Sequence, residues 1–380
     1  MLQLPPLSLY IHIPLCIEKC PYCDFNSHKL RGDIPEKAYL KALIDDLKID
    51  IVYAQGRSLD TIFIGGGTPS LISASGIGWL LSEIERKIPF KKNIEITLEA
   101  NPGAIENSKI AEFKAAGISR FSFGVQSFQQ EKLTKLGRIH GVQEAKSAAL
   151  QAKQSGVKTF NLDLMHGLPN QSLEDAMFDL QTAIDLQPTH LSWYQLTIEP
   201  NTQYFSHPPT LPEDEMLWDI QEAGQTLLAE NGYQQYEISG YSKIGFECQH
   251  NLNYWSFSDY FGIGCGAHGK LTLPLENKII RTTKIKHPKG YLDESRPFLD
   301  TSETVAQEDL AFEYMINRLR LFAPIPFIEF EQYTGLNIES IAEPIQQAVN
   351  KQLLIKNSDH WLMTELGHRY LNELLQLFME

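Results

Sequence analysis

From Leu7 to about residue 230, short apolar runs rich in Ile, Phe, Thr and Tyr alternate six times with longer stretches of helical periodicity. The runs Leu7–Ile13, Thr61–Ile64, Ile94–Glu99, Ser119–Val125, Thr159–Met165 and His190–Leu196 read as strands. Glu36–Tyr53, Gly76–Lys87, Val142–Gln154, Leu173–Leu186 and Glu213–Glu230 read as helices. In the fourth of these, Leu173, Ala176, Met177, Leu180 and Ile184 recur at three- and four-residue spacing. Ser172 precedes them as an N-cap, with Glu174 and Asp175 in the first turn. Such a repeat implies a parallel sheet with helices outside. Six units fall short of the eight of a closed barrel. The expected fold is therefore α/β, a partial (β/α)6 TIM-like barrel with one side open to a large substrate.

The core is expected to span residues 1–232. From 233 to 300 periodicity weakens while Gly, Asn, Tyr and Trp accumulate, which reads as an irregular extension closing the barrel. Residues 301–380 read as a separate helical region: Val305–Leu321, Ile325–Thr334 and Ile338–Asn350, a hairpin of Leu353–Ile355 and Trp361–Met363, and a last helix over Glu365–Phe378. That order resembles a winged helix. With 5 Lys and Arg against 12 Asp and Glu in 301–380, phosphate repulsion opposes nucleic-acid binding there. The net charge of −14 argues the same for the whole chain. No apolar run approaches the ~18 residues of a membrane span, and the N-terminus lacks the features of a signal peptide. A cytoplasmic location, where thiols stay reduced, is the expectation.

The cysteine count is five, an odd number, and Cys16, Cys20 and Cys23 fall together as C-x3-C-x2-C directly after the first strand. In a reducing compartment this is a metal pattern rather than a disulfide framework. Three thiolates on a tight loop can hold three corners of an iron–sulfur cubane, leaving the fourth iron open. Zinc is the alternative, with His12 or His28 as a fourth ligand. Cys248 reads as an inert buried thiol, with ligation as its other possibility, and His12 and His166 read as structural. The run Gly262–Gly269, which contains Cys265, resembles a phosphate loop but reads as a tight turn packed near the barrel.

Active sites of such barrels lie at the C-terminal ends of the strands. Gly65-Gly66-Gly67-Thr68-Pro69 follows strand two, either as a simple turn or as a place where the backbone approaches a ligand. Glu99 ends strand three, Gln126 ends strand four, Arg138 follows one helix later, and Asp163 lies on strand five. Each could be a cap or a satisfied core group; together they line one mouth. Tyr10 points to that mouth if Leu9 and Ile11 face away.

The cysteine spacing, with aromatic Tyr22 before the last cysteine, resembles the radical SAM superfamily. The resemblance implies a [4Fe–4S] cluster on Cys16, Cys20 and Cys23, with S-adenosylmethionine (SAM) chelating the open iron and cleaved on one-electron reduction to a 5′-deoxyadenosyl radical. The stretches YIHIPLC, GGGTPS, LEANPG, GVQSF and DLMHGLP are similar in order and spacing to the subfamily typified by oxygen-independent coproporphyrinogen III oxidase, over roughly residues 7–270. For SAM contact this implies Tyr10, Gly66, Gly67, Thr68, Glu99, Gln126, Arg138 and Asp163, with Tyr22 acting through its backbone. The oxidase has a further cysteine where Phe25 stands, and an extension before strand one where this chain shows only a few residues.

Both departures resemble the heme chaperone branch of the subfamily, and His250-Asn251-Leu252-Asn253-Tyr254-Trp255 is similar to its H-N-x-x-Y-W signature. That branch implies heme as a ligand and acceptor hemoproteins, respiratory ones included, as partners. His250 is then a candidate heme ligand, with Tyr254 and Trp255 as flat faces for a porphyrin; the alternative is a buried aromatic cluster capped by a histidine. The competing function is a coproporphyrinogen oxidase or another porphyrin-modifying enzyme. A homodimer is compatible with the sequence.

Overall fold

The computed structural model describes residues 2–104 and 107–379. Six strands alternate with helices as expected: β1 (Leu7–Ile13), β2 (Leu59–Gly66), β3 (Phe90–Ala100), β4 (Arg120–Gln126), β5 (Thr159–His166) and β6 (His190–Gln195). Each pairs in parallel with the next. The helices outside them are α1 (Glu36–Asp50), α2 (Ala74–Glu85), α3 (Asn107–Ala115), α4 (Gln130–Lys135), α5 (Val142–Gln154), α6 (Leu173–Asp185) and α7 (Asp214–Glu230). The α6 capping box is present, Ser172 Oγ accepting the Asp175 N–H at 3.1 Å. The sequence reading does not include the short helices α3 and α4; α3 has weak amphipathic character and α4, at 6 residues, is under two turns long.

Residues 233–300 are not irregular. They supply β7 (Gln234–Gln235), β8 (Gly240–Ser242), β9 (Asp259–Ile263), β10 (His268–Leu273) and β11 (Lys278–Lys284), and β12 (Leu299–Thr304) follows. Among the described residues the sheet runs β12-β11-β10-β9-β1-β2-β3-β4-β5-β6-β8-β7. Strand β9 pairs in parallel with β1, on the side away from β2, as a seventh parallel strand. The loose pattern has a packing cause: a Cβ on Gly262 would lie 1.8 Å from the His268 carbonyl oxygen, so the β9–β10 crossing requires glycine.

Period-two alternation sorts the strand residues. Leu9, Ile11, Ile62, Ile64, Leu98, Phe121, Phe123, Leu162 and Leu191 join the apolar core under the helices. The intervening positions face the lumen and are mostly polar. Ser8 Oγ lies 2.7 Å from Thr61 Oγ1, and Asn161 Oδ1 lies 2.7 Å from His190 Nδ1. Arg120 is buried there with Nε unpartnered.

The C-terminal region holds α9 (Leu310–Arg318), α10 (Phe327–Thr334) and α11 (Ala342–Asn350), with a three-stranded sheet of β13 (Ile325–Pro326), β14 (Leu354–Lys356) and β15 (His360–Met363), an arrangement like a winged helix. It has its own apolar core around Tyr314, Phe330, Ile345 and Trp361. The first helix starts at Leu310 rather than Val305. The last breaks into Glu365–Arg369 and Leu371–Gln376, because Tyr370 leaves helical geometry at φ −111° and ψ 42°. A backbone bridge from Leu321 to Glu237, and a Phe322 N–H to Tyr236 carbonyl bond of 3.1 Å, join this region to the sheet.

Candidate cluster and cofactor site

The cysteine loop leaves β1 and closes on itself, Leu15 and Cys16 pairing with His28 and Lys29. Two glycine runs hold it. The Gly67 N–H donates to the Ile13 carbonyl at 2.8 Å and the Thr68 N–H to that of Leu15 at 2.7 Å. A Cβ on Gly67 would sit 2.4 Å from the Leu15 oxygen, so no larger residue fits. On the other side Asn26 Nδ2 donates to the carbonyls of Cys265 and Lys286, both at 2.9 Å. Gly266, at φ +78°, leaves the room that Asn26 occupies. The Gly262–Gly269 run is thus a turn clamped on the cysteine loop, as read from sequence.

Cys16, Cys20 and Cys23 line a cavity of about 600 Å³ together with Tyr22, Gly66, Gly67, Thr68, Glu99, Gln126, Arg138 and Asp163. Burial is the main cause that raises the thiols of Cys16 and Cys23, and neighbouring thiols add to it. Arg138 donates from Nη2 to the Gly124 carbonyl at 2.6 Å and from Nη1 to Cys20 Sγ at 3.5 Å; its Nε is buried without a partner. Gln126 adopts φ +73° at a register shift in β4 and accepts the Tyr194 hydroxyl at 2.9 Å, a strained residue held at the wall. Burial, then the neighbouring Asp163, pushes Glu99 up to about 8. Burial also raises Asp163, although Asn161 and Ser122 donate to it.

Tyr10 is not in this cavity. It faces the lumen, as its alternation required, but lines an adjoining chamber of about 590 Å³. The chambers share Gly66, Glu99 and the Asp24–Phe25 segment. The second sits closer to β9, and the tyrosine hydroxyl is taken up by His12 Nδ1 at 2.9 Å. His12 Nε2 lies 2.9 Å from the Asn26 carbonyl, so both its nitrogens are engaged and it holds the loop. His28 Nε2 lies 3.2 Å from the Lys286 carbonyl. His166 is buried against Trp193, ring centroids 4.3 Å apart.

Helix α8 (Gln249–Trp255) carries the His-Asn-x-x-Tyr-Trp run and contributes to both chambers. His250 and Tyr254 line the second, Asn251 and Trp255 the first. His250 Nδ1 lies 2.8 Å from Thr61 Oγ1, and burial lowers its pKa to about 3, so its imidazole is neutral. Cys248 is fully buried, donates to Glu95 Oε1 at 3.5 Å and is pushed up to about 12 by burial.

The radical SAM superfamily model matches residues 10–181, and the HemN C-terminal domain model matches residues 305–370. Over 379 residues the chain is 54% identical to the heme chaperone HemW of Escherichia coli, covering 100% of both. It is 55% identical to that of Haemophilus influenzae over 383 residues, covering 100% of this chain and 99% of the relative.

The chain belongs to the HemW family of radical SAM proteins.

The family extends to the heme chaperone HemW of Bacillus subtilis, 34% identical over 382 residues and covering 98% of this chain and 99% of that one. In fold, the chain matches the crystal structure of coproporphyrinogen III oxidase (HemN) from Escherichia coli with a TM-score of 0.83. The match covers 99% of this chain and 90% of that one, and at 22% identity it shows shared architecture alone. Membership of the radical SAM superfamily implies a [4Fe–4S] cluster and SAM. Among the described residues no three His, Cys, Asp or Glu side chains converge as ligands of one ion do. The donor set, three thiols of one short loop lining a single cavity with the unpartnered Arg138 Nε, fits a cluster with an anionic ligand beside it. Among the described residues no helix is long and apolar enough to cross a membrane.

Sequence reading missed Arg120, Glu95, Glu237 and Arg320. The first two lie in the lumen, and the third and fourth line the cavity that holds the cysteines. A signal existed for the strand residues: Glu95, Thr97 and Glu99 alternate along β3, and Arg120, Ser122 and Gly124 along β4. For Arg320 no local signal existed.

Proposed function

We propose that this protein binds heme and delivers it to acceptor hemoproteins, with a [4Fe–4S] cluster on Cys16, Cys20 and Cys23 and SAM beside it. The observation that carries this reading is identity of 54–55% to HemW heme chaperones over the whole chain. When bound, the cluster and SAM supply one-electron chemistry. The chain's own groups do the holding. The N–H groups of Gly66, Gly67 and Thr68 are spent on Glu99, Ile13 and Leu15, so this turn holds the cysteine loop and the Glu99 carboxyl against the cavity. Arg138 Nε is placed for a carboxylate. Glu99 and Asp163 supply acceptors for hydroxyls or a cationic centre. Tyr22 lines the same cavity, and Tyr10 acts on SAM only across the shared wall.

For heme, α8 is the proposed contact. The neutral His250 can ligate iron, and Tyr254 and Trp255, packed edge to face with centroids 4.8 Å apart, are the proposed ring contacts. The test is an anaerobic absorbance titration with heme, comparing the unaltered protein with His250→Ala. Saturable binding near one heme per chain, weakened in the variant, supports the reading; no saturable binding in the unaltered protein overturns it.

A further inference from the structure

The cavity that holds the cysteines has a second end, and its polar donors are unspent. Arg320 follows α9 in the C-terminal region and lies with its guanidinium carbon 4.3 Å from the centroid of the Trp255 ring. Both side chains line the cavity. Arg320 Nε and Trp255 Nε1 are buried and have no hydrogen-bond partner. A buried N–H left unpaired costs about 1–3 kcal/mol, so both donors would gain from an arriving acceptor.

The position is built. The Leu321–Glu237 bridge and the Phe322 N–H to Tyr236 carbonyl bond fix the segment that carries Arg320. The groups facing the guanidinium are Glu237, Tyr254 and Trp255. Glu237 acts on Arg320 through its charge but makes no ion pair with it; its carboxylate accepts the Ser239 N–H at 3.2 Å, and burial raises its pKa. Burial likewise lowers Arg320, whose guanidinium is thus poorly solvated at this end of the cavity.

We propose that Arg320 and the Trp255 N–H anchor a carboxylate of a planar, conjugated ligand at this end of the cavity, namely a propionate of a tetrapyrrole. The indole ring already carries a flat cation on one face, and a guanidinium edge and an indole N–H are two donors that a carboxylate can accept from. SAM carries one carboxylate, for which Arg138 stands beside the cysteines; Arg320 serves a different one. The inference rests on the heme-binding reading and extends it to residues of the C-terminal region.

The experiment compares heme with its dimethyl ester, whose propionates are blocked, by anaerobic absorbance titration of the reconstituted full chain. Arg320→Gln is expected to weaken heme binding about tenfold or more and to leave ester binding as in the unaltered protein. Trp255→Phe keeps the ring, removes the N–H, and is expected to weaken heme a few-fold. Iron content of each variant reports its fold, and the two substitutions act independently should one fail to fold. Unaltered heme affinity in both variants overturns the anchor and leaves the heme reading standing. Equal losses for heme and ester also overturn it, since the effect would not depend on the carboxylate. Absence of saturable heme binding in the unaltered protein overturns both readings together.

Discussion

Glu99 accepts the Gly66 backbone N–H at 3.0 Å, tying the end of β3 to the glycine turn beside the cysteine loop. Gly66 has φ +120°, and a Cβ there would lie 2.7 Å from the Ile13 carbonyl. The carboxyl is therefore held by a backbone that cannot be rebuilt around another residue.

This contact has a pH signature. Glu99 ionises near 8 in the folded chain against 4.5 ordinarily, mainly through burial. Between these values the folded state keeps a proton that the unfolded state releases, so stability falls as pH rises from about 4.5 to 8 and levels above. Glu99→Gln is expected to flatten that slope in thermal melts of the cofactor-free protein. An unchanged slope would assign the effect elsewhere. SAM brings positive charge to the site, and its affinity is expected to rise as pH approaches 8.

Replacing Cys16, Cys20 or Cys23 by Ala is expected to abolish the cluster's visible absorbance after anaerobic reconstitution. The comparable replacement of Cys248, whose thiol is buried against Glu95, is expected to retain it. A full cluster in all three loop variants would exclude these thiols as its ligands.

Arg138→Ala is expected to leave iron content intact and weaken SAM binding by about tenfold to a hundredfold, the worth of a charge-assisted hydrogen bond. Equilibrium dialysis with labelled SAM measures this directly. Unchanged affinity would remove Arg138 from the set.

The helix shell makes a stability prediction. A Cβ on Gly224 in α7 would lie 1.9 Å from the Trp193 ring, whose neighbour is His166. Gly224→Ala is expected to destabilise the fold by about 1–3 kcal/mol through overpacking, measured by urea denaturation. A neutral result would mean that the indole can move aside.

The sequence by itself determined the β–α alternation, the position of the cysteine loop after the first strand, and the polar residues at the strand ends. These follow from local periodicity and short-range spacing, which survive in one dimension. The residues marked for SAM meet around one cavity, except Tyr10, because strand ends of a parallel sheet gather at one mouth. What only the tertiary structure decided depends on pairing across long separations. β9 joins β1 from some 250 residues downstream, with glycines that blur its pattern where the hairpin crosses closely. Residues of α8 go to different chambers, His250 and Tyr254 to one, Asn251 and Trp255 to the other. Arg320 reaches the cavity only because Leu321 pairs with Glu237. No local pattern encodes such a contact, since its partners become neighbours only once the C-terminal region docks on the sheet.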